Sequence, residues 1–128
     1  MARGKLSAIV VTSSVLGTSP VAGLVSYCST KTFVDFLARG LSYELEGRVD
    51  CLSWRAGYVS TNMIKKPAGG LVVDTETAVK GMLRDLGKEK MTRGVAVHDL
   101  YLGLVFNYVP LSWVNWYISR AQAKNKQD

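Results

Sequence analysis

Tyr27 and Lys31 stand one helical turn apart in the run Tyr27-Cys28-Ser29-Thr30-Lys31, and Tyr27 lies thirteen residues after Ser14, which closes the apolar run Ile9-Val10-Val11-Thr12-Ser13-Ser14. A phenol, a cation and a hydroxyl converging on one carbonyl can reduce it. A phenol is a poor proton donor near neutral pH because its ordinary pKa is about 10, but a cation held beside it favours the phenolate and brings the group into working range. Residues four apart on a helix share a face, so Lys31 is placed to be that cation. The Ser14 hydroxyl can hydrogen-bond the substrate oxygen while charge builds on it. A chain with six Tyr and nine Lys holds about 0.4 such Tyr-x-x-x-Lys pairs by chance, so the pair gains its weight from what surrounds it.

The elements that must position these groups are legible. Ser7 to Thr12 is a nearly continuous apolar, β-rich run, which suits a parallel strand covered on both faces. Val15 to Gly23 reads as a loop rich in Gly, Ser and Pro. Ser26 to Glu46 reads as a long helix with Phe33, Phe36, Leu37, Leu41 and Leu45 at three- and four-residue intervals, closed by Gly47. Val49 to Trp54 is the next strand, followed by Ala56-Gly57-Tyr58-Val59-Ser60-Thr61. Strand, helix and strand over this length make a right-handed βαβ unit. In open sheets of this kind ligands sit beyond the carboxyl ends of the strands, and Ser14, Tyr27 and the 56–61 loop all fall there.

Further on, 64–73 is a stretch rich in Lys, Pro and Gly, readable as a mobile lid or as a linker. Asp74-Thr75-Glu76-Thr77 opens a helix that runs to about Leu86, with Gly87 ending it. Thr92 to Val97 is expected to form a short third strand. Leu100 to Ser119 carries no charge over twenty residues and is rich in Tyr and Trp, with Asn107, Pro110 and Asn115 lowering its hydrophobicity. An interfacial helix pair is the first reading, a buried pair or partner surface the second, and a full membrane span the third. The tail Lys124-Asn125-Lys126-Gln127-Asp128 fits both a Lys-x-Lys-x-x endoplasmic-reticulum retrieval signal and a solvated terminus.

Composition excludes other classes. Apolar residues make up 48% of the chain, which rules out a disordered class, and 128 residues allow one domain with a core of ordinary size. The net charge of +6 is spread out, and its densest cluster, Lys80, Arg84, Lys88, Lys90 and Arg93, is interrupted by Asp85 and Glu89. That pattern reads as a solvated helix face, with no nucleic-acid partner. Cys28 and Cys51 have neither Cys-x-x-Cys spacing nor clustered His, so they are expected as packed thiols in a reducing compartment, with no metal site. His98 is read as a helix-boundary or core residue. The basic start Met1-Ala2-Arg3-Gly4-Lys5 precedes only a short β-rich run, which is not a signal-peptide core.

The run from Ser7 to Met63 resembles the catalytic half of the short-chain dehydrogenase/reductase family, whose pattern is a strand ending in Ser-Ser, then Tyr-x-x-x-Lys, then Pro-Gly-x-Val-x-Thr. Thr32-Phe33-Val34-Asp35-Phe36-Leu37 and Gly57-Tyr58-Val59-Ser60-Thr61-Asn62-Met63 are similar to the branch holding 17β-hydroxysteroid dehydrogenases and very-long-chain 3-oxoacyl-CoA reductases. The resemblance implies an α/β fold: a partial Rossmann-like, doubly wound parallel sheet of about three strands with flanking helices. Residues 1–98 would form the catalytic half and 99–128 an apolar, aromatic helical segment with a basic tail. The resemblance also implies NADP(H)-linked interconversion of a keto and a hydroxyl group on a steroid or 3-oxoacyl-CoA at the cytosolic face of the endoplasmic-reticulum membrane. Tyr27 would be the general acid and Lys31 its activating cation and ribose contact. Ser14 would hold the substrate oxygen, and Gly57, Val59 and Thr61 would meet the nicotinamide.

The sequence departs from the family in three places, one of them the absence of the family's Asn-Ala-Gly strand and of its fourth catalytic residue, an Asn on the preceding helix. No glycine-rich Gly-x-Gly-x-x-Gly turn is present, so the pyrophosphate-holding half is missing and this chain alone is expected to be inactive and to bind the cofactor poorly. The strand from Ser7 would then present an open apolar edge. Ala56 stands where the family has Pro, with Arg55 beside it, which leaves the loop on the same path with less rigidity. The alternative from another class is a non-catalytic module that pairs with a complete dehydrogenase subunit through the 26–46 helix, the dimer interface in many relatives.

Overall fold

The structure, a computed structural model, describes residues 7–62 and 64–125, with side chains as far as residue 121. Three parallel strands form one sheet in the order β1 (Ala8–Ser14), β2 (Asp50–Ala56) and β3 (Met91–Thr92). The register of β1 on β2 runs from Ala8 opposite Asp50 to Ser14 opposite Ala56, so both strands end at the same level. Helix α1 (Val25–Glu44) makes the crossover between them, as the spacing of its apolar residues predicts. It is followed by Gly47 at a φ of 82°, a left-handed turn that suits glycine. The loop after β1 contains one 3₁₀ turn over Val15–Thr18.

The core lies between α1 and the sheet. Leu52 at the centre of β2, Ala38 of α1 and Val21 of the loop are fully buried, with Cys28 and Cys51 nearly so; both cysteines are free thiols, as expected. Side-chain hydrogen bonds tie α1 down at its N-terminal end: the Ser13 hydroxyl donates to the Lys31 carbonyl at 2.8 Å and the Thr32 hydroxyl to the Gly17 carbonyl at 2.7 Å. Among the described residues no strand pairs with the outer edge of β1, where Ile9 is exposed.

Helix α2 (Thr75–Asp85) starts where its capping residues predict, with the Asp74 carboxylate accepting from the Thr77 N–H at 2.8 Å. It crosses the chain after β3 at backbone contact, since a Cβ on Gly81 would overlap the Gly94 carbonyl oxygen. That crossing explains why the third strand departs from expectation. The run Thr92 to Val97 yields strand only at Met91–Thr92, because Gly94 turns the chain at a φ of 80° to pass α2, and α3 (Ala96–Tyr108) begins two residues later. Nor is the 64–73 stretch a free linker: Val59 bridges Val73, and Gly69 and Val72 exchange backbone hydrogen bonds of 2.7 and 3.0 Å.

The uncharged C-terminal run is two helices, α3 and α4 (Leu111–Asn125). Val109 is extended, as a residue before proline prefers, and Pro110 separates the two. No helix of the described residues is long and apolar enough to cross a membrane, which corrects the reading of Leu100 to Ser119 as a full span. The Asn115 side chain pins α4 to the loop after β1, accepting from the Ala22 N–H at 2.8 Å and donating to the Pro20 carbonyl at 3.2 Å. Residues 126–128, and with them part of the tail read as a retrieval signal, lie outside the described residues.

Candidate active site

Open parallel sheets take their ligands in a crevice beyond the C-terminal ends of the strands; here the register puts Ser14 beside Ala56 at that level, and α1 starts eleven residues after Ser14. Ser14 is buried at the end of β1, and its Oγ accepts from the Leu16 N–H at 3.2 Å. That bond fixes the oxygen and leaves the hydroxyl proton free to donate. Tyr27 lies in the first turn of α1 and Lys31 in the next. The Lys31 ammonium stands 5.8 Å from the centre of the Tyr27 ring and donates to the Thr12 carbonyl of β1 at 3.1 Å. The cation thus lies over the side of the Tyr27 ring and is anchored to the strand that carries Ser14, while two of its three protons stay available.

The loop after β2 carries Gly57, Val59 and Thr61, the residues expected to meet a nicotinamide. A Cβ on Gly57 would come within 2.7 Å of His98 Nδ1, so glycine here lets the loop lie against the imidazole. Val59 pairs with Val73, and the Thr61 carbonyl accepts from Ile64 N–H and Lys65 N–H at 3.1 and 2.9 Å. Met63 lies outside the described residues. His98 is fully buried in the first turn of α3, its Nε2 2.8 Å from the Leu71 carbonyl, which agrees with a core role at a helix boundary. Tyr58, next to Gly57, has its phenol pushed above the usual value by burial and by the neighbouring phenols of Tyr117 and Tyr101. The aromatic helices thus pack on the loop that borders the crevice.

Beneath the crevice lies a group that the motif reading left out. Asp35 of α1 is 1% exposed. Its carboxylate accepts from Arg55 Nε and Nη2 at 2.9 and 2.8 Å, from the Ser53 hydroxyl at 2.6 Å and from Arg39 Nε at 3.0 Å. Burial alone would raise the Asp35 pKa, but the hydrogen bonds from Arg55 and Ser53 and the two guanidinium charges outweigh it and hold the carboxyl below its ordinary value. Arg55, read from sequence only as a bulk beside Gly57, is the bidentate partner that locks β2 to α1. The signal was there in part: Asp35 and Arg39 have the four-residue spacing of a helical ion pair, and Asp35 falls on the same face as Cys28, Ala38 and Ser42.

As to a dinucleotide, the donor set fits one end of it. The free protons of Lys31 would suit the hydroxyls of a ribose, and the 57–61 loop and Ser14 are the residues that would face a nicotinamide ring. No described element offers a glycine-rich turn for a pyrophosphate.

A family model described as short chain dehydrogenase matches residues 1–69. The chain is 33% identical over 128 residues to a very-long-chain 3-oxoacyl-CoA reductase of Macaca fascicularis, covering 98% of this chain and 40% of that protein. Its fold is similar to a solved 7β-hydroxysteroid dehydrogenase (TM-score 0.74, 20% identity, 88% of this chain and 47% of the other). It is also similar to a short chain dehydrogenase from Burkholderia cenocepacia in complex with NADP (TM-score 0.62, 19% identity, 84% and 46%). The chain therefore spans less than half the length of each of these proteins. The three parallel strands and their flanking helices agree with these matches, and the chain belongs to the short chain dehydrogenase family of oxidoreductases.

Proposed function

We propose that this chain supplies the catalytic half of an NADP(H)-linked reductase for the keto group of a 3-oxoacyl-CoA or a related lipid-like ketone such as a steroid. The observation that carries this reading is the Lys31 ammonium, held between the Tyr27 ring and the strand that ends in Ser14. A bound nicotinamide would supply the hydride. Ser14 donates a hydrogen bond to the substrate oxygen, Tyr27 gives that oxygen its proton, and Lys31 stabilises the phenolate left behind. The very-long-chain 3-oxoacyl-CoA reductases among its relatives favour the acyl substrate.

The test is to join the chain, in frame, to the glycine-rich half of a related reductase and follow NADPH oxidation with a 3-oxoacyl-CoA. Restored turnover is the expected result, while a folded hybrid without turnover ends the reading. The other reading, a silent module that pairs with a complete subunit, is favoured by the exposed apolar face of α1, where Phe33, Phe36 and Tyr43 are 67%, 63% and 66% exposed. It requires a hybrid without turnover together with co-sedimentation of the unjoined chain with an intact reductase.

The surface of α3 and α4 supports placement at the cytosolic face of the endoplasmic-reticulum membrane. Leu100, Tyr108, Trp113, Trp116 and Tyr117 are all exposed, and Trp and Tyr favour the boundary between headgroups and acyl chains. The chain should float with phosphatidylcholine vesicles and shift its tryptophan emission to the blue. Trp113→Ala with Trp116→Ala should abolish both effects; a double variant that still floats would place the contact elsewhere.

A further inference from the structure

A groove of about 540 Å³ runs along the flank of α1 that faces away from Tyr27 and Lys31, bounded by the 3₁₀ turn, the ends of β2 and β3, and the last turn of α3. The geometry points to a binding site in this groove for the oxyanion head of an amphiphilic anion, separate from the crevice at Ser14. Its lining contains two arginines, Arg55 and Arg93, and no acidic residue. Their side chains are only 14% and 18% exposed, so both charges act from a medium that screens them less than water does.

Neither guanidinium is fully used. Arg55 gives Nε and Nη2 to Asp35, which leaves Nη1. Arg93 gives Nη1 to the half-exposed Asp99 at 3.2 Å, and its Nε is buried with no hydrogen-bond partner. That Nε has no reachable surface, so the Arg93 Nη2 and the Arg55 Nη1 are the donors that can meet a ligand in the groove. An oxyanion is the ligand that supplies acceptors to two planar forks at once. Asn107, Ser19 and Ser29 line the same groove, together with the apolar Val25, Phe36 and Phe106. Charged donors at one end and an apolar wall beside them select an anion attached to a hydrocarbon over either part alone.

The test uses the 128-residue chain and its arginine Nε–H signals in ¹H–¹⁵N spectra, titrated with dodecyl phosphate below its micelle concentration, with inorganic phosphate and with 1-dodecanol. Dodecyl phosphate should shift the Arg93 Nε–H signal saturably and bind about tenfold or more tightly than either other probe. Arg93→Gln should weaken its binding by about tenfold. An unmoved Arg93 signal, equal binding of dodecanol or of inorganic phosphate, or undiminished binding by Arg93→Gln would each overturn the site. No part of this test uses the phenol or a nicotinamide, so its outcome is independent of the reductase reading.

Discussion

Tyr27→Phe should lower kcat of the joined enzyme by about 10²- to 10⁴-fold while leaving KM little changed. The substitution removes one oxygen and keeps the ring, so the packing at the start of α1 persists; what disappears is the hydroxyl proposed to hand the carbonyl oxygen a proton. Lys31→Met should have a comparable effect for a different reason. It leaves the phenol but takes away the charge anchored on Thr12, to which the proposed mechanism gives the stabilising role. Steady-state kinetics with NADPH and a 3-oxoacyl-CoA read both variants. Turnover by Tyr27→Phe within about threefold of the unmodified hybrid would mean that another group donates the proton.

The second large effect is on stability. Asp35→Ala should lower the unfolding free energy by about 3–5 kcal/mol, because it strands the mostly buried Arg55 charge without a counter-ion. This is a large fraction of the roughly 5–15 kcal/mol typical of a domain. Replacing the pair together, Asp35→Leu with Arg55→Met, should cost less than Asp35→Ala alone, since no lone charge remains. Urea unfolding followed by circular dichroism measures both, and a double variant worse than the single one would refute the ionic account. The pH dependence has a definite sign. The carboxyl of Asp35 sits below its ordinary value of 3.8 in the fold, so its contribution is complete above that value and is lost as pH falls through the lower folded one. Asp35→Asn should therefore flatten the acid limb of the stability profile.

Much of this fold could be read from the chain because its signals are local. The apolar run of β1, the three- and four-residue spacing in α1 and the strand ending before Gly57 each announce themselves within a few residues, and the observed bounds differ from the expected ones by only one or two positions. Expectation failed where distant segments decide. Thr92 to Val97 has strand-like composition, but its path is set by the close passage of Gly94 over Gly81, which no window along the sequence contains. The same holds for the candidate site. Tyr27 and Lys31 are visible because they are four residues apart, whereas Arg55 meets Asp35 across twenty positions. Likewise Arg93 was grouped with the solvated charges of α2, although the fold turns it into a groove with Arg55.

The Asp35 cluster also bears on how the sheet finds its alignment. Alternate residues of a strand point to opposite faces, so sliding β2 by one position would swing Arg55 and Ser53 away from the helix and leave the buried Asp35 carboxylate with Arg39 alone of its three donors. Greasy β-branched runs such as those in β1 tolerate sliding; an ionic latch seated between helix and central strand does not. The chain thereby carries its own proofreading device, one that penalises every off-by-one pairing before the crevice above it is complete.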